Sequence, residues 1–176
     1  PKLVIMVDCG STSNKAVNYL NKKLIKSIII DHHEIRKPYP KSSCIINPKM
    51  NNGYIHFEYF CATALVYFLI SIIQKKTNLG FLFKDNLIYV LLASVCDVMP
   101  IRKLNRIIAL EVLNNFDISK NFFISYFFQK FKIKSKLSLY ELGFLIGPVL
   151  NAGGRLNKSN LATELLSSNN DAYIKK

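Results

Sequence analysis

The sequence predicts an α/β fold: a parallel β-sheet with flanking helices, followed by a helical layer. Three observations predict it. Two apolar runs, Leu3-Val4-Ile5-Met6-Val7 and Ser27-Ile28-Ile29-Ile30, each stop at a carboxylate, Asp8 and Asp31, twenty-three residues apart. That spacing holds one strand–helix unit with a right-handed crossover, which makes the strands parallel and puts both carboxylates at one sheet edge. From Phe57 onward the apolar pattern turns helical, so the strands come first and the helices gather after them.

Taken in order, residues 3–7 read as a core strand. Thr12-Ser13-Asn14 offer N-caps, and Ala16, Val17, Leu20 and Leu24 recur at helical spacing. Residues 27–30 are short and β-branched, as in a fully buried parallel strand. Ser43-Cys44-Ile45-Ile46 predicts a third strand, ended by Asn47-Pro48, and Asn51-Asn52-Gly53 predicts a turn. Helices are expected over 59–76, 85–95 with Asp85 as N-cap, 105–113 and 138–146, and the aromatic-rich 122–131 reads as helix in preference to strand. The helix at 138–146 opens with Ser138-Leu139-Tyr140-Glu141, the spacing of a reciprocal capping box. Gly147-Pro148 is expected to break it, Gly153-Gly154 to make the next stretch a loop, and 159–166 to start a final helix before a frayed Asn169-Asn170-Asp171. No internal repeat or interdomain linker is visible.

Composition narrows the function classes. With 176 residues the chain can bury one proper core. Half of it is hydrophobic, yet the longest apolar candidate, 60–73, holds fourteen residues, where a membrane span needs about twenty. It reads as a buried helix, and no membrane partner is expected. The chain opens Pro1-Lys2 straight into an apolar strand, so the expectation is a piece that starts inside a longer protein. Cys9, Cys44, Cys61 and Cys96 have neither zinc-ribbon nor thioredoxin spacing and predict reduced, buried thiols in a cytoplasmic protein. The net charge of +13 suits a polyanionic partner. Part of it reflects a Lys-, Asn- and Ile-rich composition, so Arg36, Arg102, Arg106 and Arg155 carry more information than the lysines.

Four polar clusters interrupt the apolar runs. Asp31-His32-His33 ends a buried strand, and two adjacent imidazoles there cannot both enter the core, so at least one faces the crevice as a metal ligand or phosphate contact. Asp8-Cys9-Gly10 ends the first strand in the same way. Asp97, in Cys96-Asp97-Val98-Met99-Pro100, comes after a helix too apolar to take a carboxylate without a cation. The fourth cluster runs from Gly147 to Leu156. The first three each have a bland alternative: a turn-forming Asp8, a hydrogen-bonded His33, an Asp97 at a helix end in solvent.

Taken together, the order Asp8-Cys9-Gly10, Asp31-His32-His33, Asn47-Pro48, Cys96-Asp97-Val98-Met99-Pro100 with Asn105-Arg106, and Gly147-Pro148-Val149-Leu150-Asn151-Ala152-Gly153-Gly154-Arg155-Leu156 resembles the DHH phosphoesterase superfamily. Within it, the stretch 151–156 points to the RecJ-type single-stranded-DNA-specific exonucleases. The resemblance implies a DHH-domain core and a manganese or magnesium centre that activates water against a phosphodiester. It implies Asp8 as a carboxylate bridging two metals, His32 and Asp97 as further ligands, His33 against the scissile phosphate, and Asp31 supporting His33. Arg155, Asn151, Arg106 and Asn105 would hold phosphates of single-stranded DNA. The chain departs from the pattern as well. An Asp-x-Asp strand before Asp8, the DHHA1 domain and an OB-fold are absent, and Val149 and Leu104 stand where an arginine and a glutamate are usual. Residues 1–156 are thus expected to be a partial DHH domain lacking its first motif, and 157–176 the start of a helical linker. Other repair proteins would bind through regions absent here. Two other readings stay open: a catalytically silent piece of a split gene, and a DHH phosphodiesterase or pyrophosphatase acting on small substrates.

Overall fold

The expected parallel sheet forms, with strand order β1 (Leu3–Val7), β2 (Lys26–Ile30), β3 (Cys44–Ile46). This computed structural model describes residues 1–50, 57–77, 86–134, 136–155 and 160–167. The register pairs Val7 with Ile30 and Ile30 with Ile46, so the three strands end level. The Asp8 N–H donates to the Ile30 carbonyl at 2.9 Å and the Asp31 N–H to the Ile46 carbonyl at 3.0 Å. Asp8, Asp31 and Asn47 therefore leave the carboxyl edge side by side. Central β2 buries Ser27, Ile29 and Ile30. β1 is an edge strand, and Leu3, Ile5 and Val7 on one face are exposed, which corrects the expectation of a core strand.

Helix α1 (Asn14–Lys22) makes the crossover and buries Val17. Leu24, expected to extend its apolar stripe, lies beyond the helix at φ +56° and is exposed. There Ile25 N–H bonds the Leu20 carbonyl and Leu24 N–H the Asn21 carbonyl, the pair of bonds that closes a helix over a left-handed residue. Helix α3 (Leu87–Cys96) ends the same way, with Met99 N–H on the Ser94 carbonyl, Val98 N–H on the Val95 carbonyl, and Val98 at φ +55°. A β-branched residue there is strained by about 1–2 kcal/mol. Val98 is 86% exposed, so it has little packing to lose. Val98→Gly should therefore stabilise the chain by about 1 kcal/mol, read as a higher urea midpoint with unchanged slope.

Residues 1–109 and 110–176 form two compact units, divided inside helix α4 (Lys103–Asn115). In the first, α2 (Ala62–Thr77) and α3 pack together over a core that includes Phe60, Cys61, Ala64, Ile88 and Leu91. The segment 60–73 is buried only at its start; Phe68, Ile72 and Ile73 are exposed, which corrects the reading of a buried helix. The four cysteines are free. Cys61 is buried and Cys96 half-buried, but Cys9 and Cys44, next to or on the two edge strands, are exposed and not buried as expected.

The second unit contains a 3-10 turn (Ile118–Lys120) and α5 (Phe122–Lys130), whose first turn is capped by the Asn121 side chain accepting from Ile124 N–H at 3.0 Å. Phe123, Ile124, Phe127 and Phe128 bury its inner face. The capping box is present: the Glu141 carboxylate accepts from Ser138 N–H at 2.9 Å and from the Ser138 hydroxyl. The expected break at Gly147-Pro148 does not form. Instead, residues Glu141–Ile146 make a π-helical stretch that runs directly into α6 (Gly147–Arg155). Proline disrupts a regular helix interior, and Pro148 falls where the wide π-helical path hands over to α6. The expected loop at Gly153-Gly154 is instead the last turn of α6. Helix α7 (Asn160–Ser167) comes next. The expected Asn51–Gly53 turn, the Asp85 cap, the Ser159 helix start and the 169–171 stretch lie outside the described residues. No described helix is long and apolar enough to cross a membrane.

Candidate metal centre

The site grows from the level ends of the strands. Asp8 takes a left-handed φ of +61°, and Gly10 comes two residues later at +113°. A Cβ on Gly10 would stand 3.1 Å from Ile29 and 3.2 Å from the Met6 sulfur, so this turn lies flat on the sheet and needs glycine. It delivers buried Ser11, whose N–H donates to Asp31 Oδ2 at 2.9 Å. Asp31 is 1% exposed, and its Oδ1 accepts from His32 N–H (2.8 Å), His33 N–H (3.2 Å) and His33 Nδ1 (2.7 Å). Asn47, at the end of β3, donates from Nδ2 to Ser11 Oγ (2.8 Å) and to the His33 carbonyl (2.9 Å). One buried carboxylate and one buried amide thus hold both loops of the carboxyl edge in place. Sequence reasoning gives Asn47 no such role; its signals are a polar residue ending a strand and its place in the Asn47-Pro48 pair.

The electrostatics arise from these contacts. Burial works to raise the Asp31 carboxyl, but the hydrogen bonds from Ser11 and His33 hold it well below the usual carboxylate range. The Asp31 hydrogen bond in turn raises His33 against the opposing effect of desolvation, with the charges of Asp31, Asp8 and Asp97 adding to it. Asp31 thereby fixes which ring nitrogen of His33 it engages, Nδ1, and leaves Nε2 as the other contact point.

His32 is the hub of the remaining donors. Its Nε2 lies 3.2 Å from Asp8 Oδ1 and 3.8 Å from Asp97 Oδ2. Asp97 caps the C-terminus of α3 with its side chain 39% exposed. Burial pushes the Asp97 carboxyl up, His32 opposes that, and the Asp8 carboxylate adds to it. The donor atoms of Asp8, His32 and His33 all fall within 4.8 Å of one another, and Asp97 joins through His32. The expected set of Asp8, His32 and Asp97 is therefore brought together at the carboxyl edge, with His33 beside it. The donor chemistry fits a divalent cation. Neighbouring ligands of an octahedral ion with bonds of about 2.1 Å stand about 3 Å apart, and mixed carboxylate and imidazole donors suit manganese better than calcium.

The expected phosphate contacts fall in both units, Asn105 and Arg106 in the first and Asn151 and Arg155 in the second. Asn105 is buried, and its Nδ2 donates to the Tyr59 (2.6 Å) and Pro100 (3.1 Å) carbonyls. Arg106, next to it on α4, is exposed. Asn151 is exposed on α6 in the second unit, and Arg155 is the last residue of that helix, its side chain outside the described part.

A family model described as the DHH family, N-terminal domain, matches residues 1–94. The chain belongs to the DHH family. The match contains Asp8 and Asp31 to His33 and stops short of Asp97. This DHH-family chain is 28% identical over 178 residues to the single-stranded-DNA-specific exonuclease RecJ of Haemophilus influenzae, covering 96% of the chain and 31% of that relative. The chain thus spans about a third of the length of the curated relatives it matches. It is similar to the crystal structure of Thermus thermophilus RecJ in complex with Mn2+ (TM-score 0.82, 22% identity, 99% of this chain and 26% of that one). The RecJ structure with Mg2+ from the same organism gives a TM-score of 0.70 at 19% identity, over 99% of this chain and 24% of that one. These likenesses show the fold.

Proposed function

We propose that the chain carries the metal-binding core of a 5′→3′ exonuclease that hydrolyses single-stranded DNA in DNA repair and recombination. The observation that carries this reading is the convergence of Asp8, His32 and Asp97 beside an imidazole locked by a buried carboxylate. The names of its curated relatives support the substrate, and the net charge of +13 suits a polyanion. Four free cysteines fit a cytoplasmic protein.

Asp8, His32 and Asp97 would hold Mn2+ or Mg2+. Such an ion, when bound, supplies positive charge at the phosphate and makes water a better nucleophile. The rest falls to the chain. Asp31 keeps a proton on His33 Nδ1 and orients the ring, so that Nε2 can meet a phosphate oxygen as charge builds on it. Ser11 and Asn47 keep Asp31 and the loop backbone still. Asn105 anchors the start of α4 through the Tyr59 and Pro100 carbonyls, while Arg106, Asn151 and Arg155 hold backbone phosphates. Among the described residues these donors suffice for one ion, and a two-ion clamp on both attacking and leaving oxygens needs more.

The test is hydrolysis of single-stranded DNA labelled at one end or the other, with Mn2+, by the longest product of the gene and by the 176-residue chain. The longer product should shorten the strand from its 5′ end, and His32→Ala should slow it about 100-fold or more. The 176-residue chain should show little activity. Equal turnover of pyrophosphate, unchanged cleavage by His32→Ala, or robust degradation by the 176-residue chain would contradict the reading.

A further inference from the structure

The loops that leave β1 and β2 meet a second time. Past Ser11 the first contributes Thr12 and Asn14. Past His33 the second contributes Glu34, Arg36, Lys37 and Pro38, and together they line a concavity of about 420 Å3. Asn14 Nδ2 donates to the Pro38 carbonyl at 3.2 Å and ties the two loops along one side. The charge inside is unbalanced. Glu34 is the one acidic lining residue, and its carboxylate pairs with Lys49, which is not a lining residue, at 2.9 Å. Arg36 also acts on Glu34, though less than Lys49 does. Glu34 against Lys49, Arg36 and Lys37 leaves two positive charges at the concavity.

We infer that this concavity is a subsite for a backbone phosphate of the nucleic-acid strand whose scissile phosphate lies at the metal centre; the inference rests on the function proposed above. Arg36 offers a planar fork suited to a phosphate, and Lys37 a mobile point charge. Thr12 and Asn14 add neutral polar groups. The space is of the size that binding clefts have. The loops are the same two that Ser11, Asp31 and Asn47 cross-link, so a phosphate held here has a fixed place relative to Asp8 and His32. That gives the site a means of setting strand register and of favouring a polynucleotide over a lone phosphate.

The test compares the full chain with its Arg36→Ala/Lys37→Ala variant, by fluorescence anisotropy of a single-stranded oligonucleotide in EDTA over a salt series. Mn2+ binding is measured in parallel. The double variant should bind about tenfold more weakly, and its slope of log K against log salt should be shallower by about 0.7, one phosphate's worth for a single strand. A Lys75→Ala/Lys76→Ala variant at the far end of α2 removes the same charge and should bind nearly as the parent does. Unchanged affinity and slope in the Arg36/Lys37 variant would overturn the subsite. So would an equal loss in the Lys75/Lys76 variant, or a defect confined to competition by inorganic phosphate. Because the anisotropy is read without divalent metal, failure of the subsite is separate from failure of the metal centre, which Mn2+ binding reports.

Discussion

Asp31→Ala should cost the folded chain about 4 kcal/mol, a large part of the stability of an ordinary domain. Four donors converge on that carboxylate: Ser11 N–H, His32 N–H, His33 N–H and His33 Nδ1. With Asp31 1% exposed, water cannot readily replace it, and the donors are left unmet. Asp31→Asn is the informative partner. It keeps the shape and one acceptor, but its amide must point a donor either at Ser11 N–H or at the His33 side, so it should recover only part of the loss. Urea denaturation at neutral pH measures both. Equal midpoints for parent and Asp31→Ala would mean that the carboxylate does not organise the two loops.

The second large effect is on rate. In the exonuclease proposed above, His33→Ala should lower the single-turnover rate of strand cleavage about 10²–10³-fold while changing DNA affinity by less than about threefold, because a contact to an oxygen that gains charge strengthens in the transition state. Arg155→Ala should do the reverse: affinity falls, the salt dependence flattens by about one phosphate's share, and the rate at saturation stays close to the parent's. Were His33, 59% exposed, only a solvated turn residue, its removal would be nearly silent. The role fails if His33→Ala loses affinity alone.

Much of the site is legible in the sequence because it sits where short apolar runs stop. A parallel crossover of twenty-three residues leaves Asp8 and Asp31 little choice but the same edge. The Ser138–Glu141 capping box is legible for a similar reason, being a local pattern with a local geometry. Helix ends are not. Three of them close over Leu24, Val98 and Lys132, all at positive φ, where glycine would have signalled the stop. In sequence, Asp97 for that reason looks like a carboxylate beyond a buried helix, whereas it is the cap residue itself, partly exposed and turned toward His32. Gly147-Pro148 misleads in the opposite direction, since the helical path runs on through it, with the π-helical stretch Glu141–Ile146 directly before. The supporting roles of Ser11 and Asn47 depend on contacts twenty and thirty-six residues away, with no periodicity to betray them.

Two of the positive-φ residues lie at the donors: Asp8 itself at φ +61° and Val98 directly after Asp97. Backbone strain of this kind persists where surrounding structure holds it, here the Asp8 N–H bond to Ile30 and the bonds that close α3. The same elements therefore set the fold of the sheet edge and the spacing of the ligands.

Pulsed electron paramagnetic resonance of bound Mn2+ reads whether Asp8, His32 and Asp97 share one divalent ion. A bound ion with nitrogen coupling from an imidazole is expected, a coupling lost in His32→Ala together with about 100-fold in Mn2+ affinity, and weakened binding in Asp8→Asn and Asp97→Asn. Parent and His32→Ala binding Mn2+ equally, with no imidazole coupling in either, would contradict it.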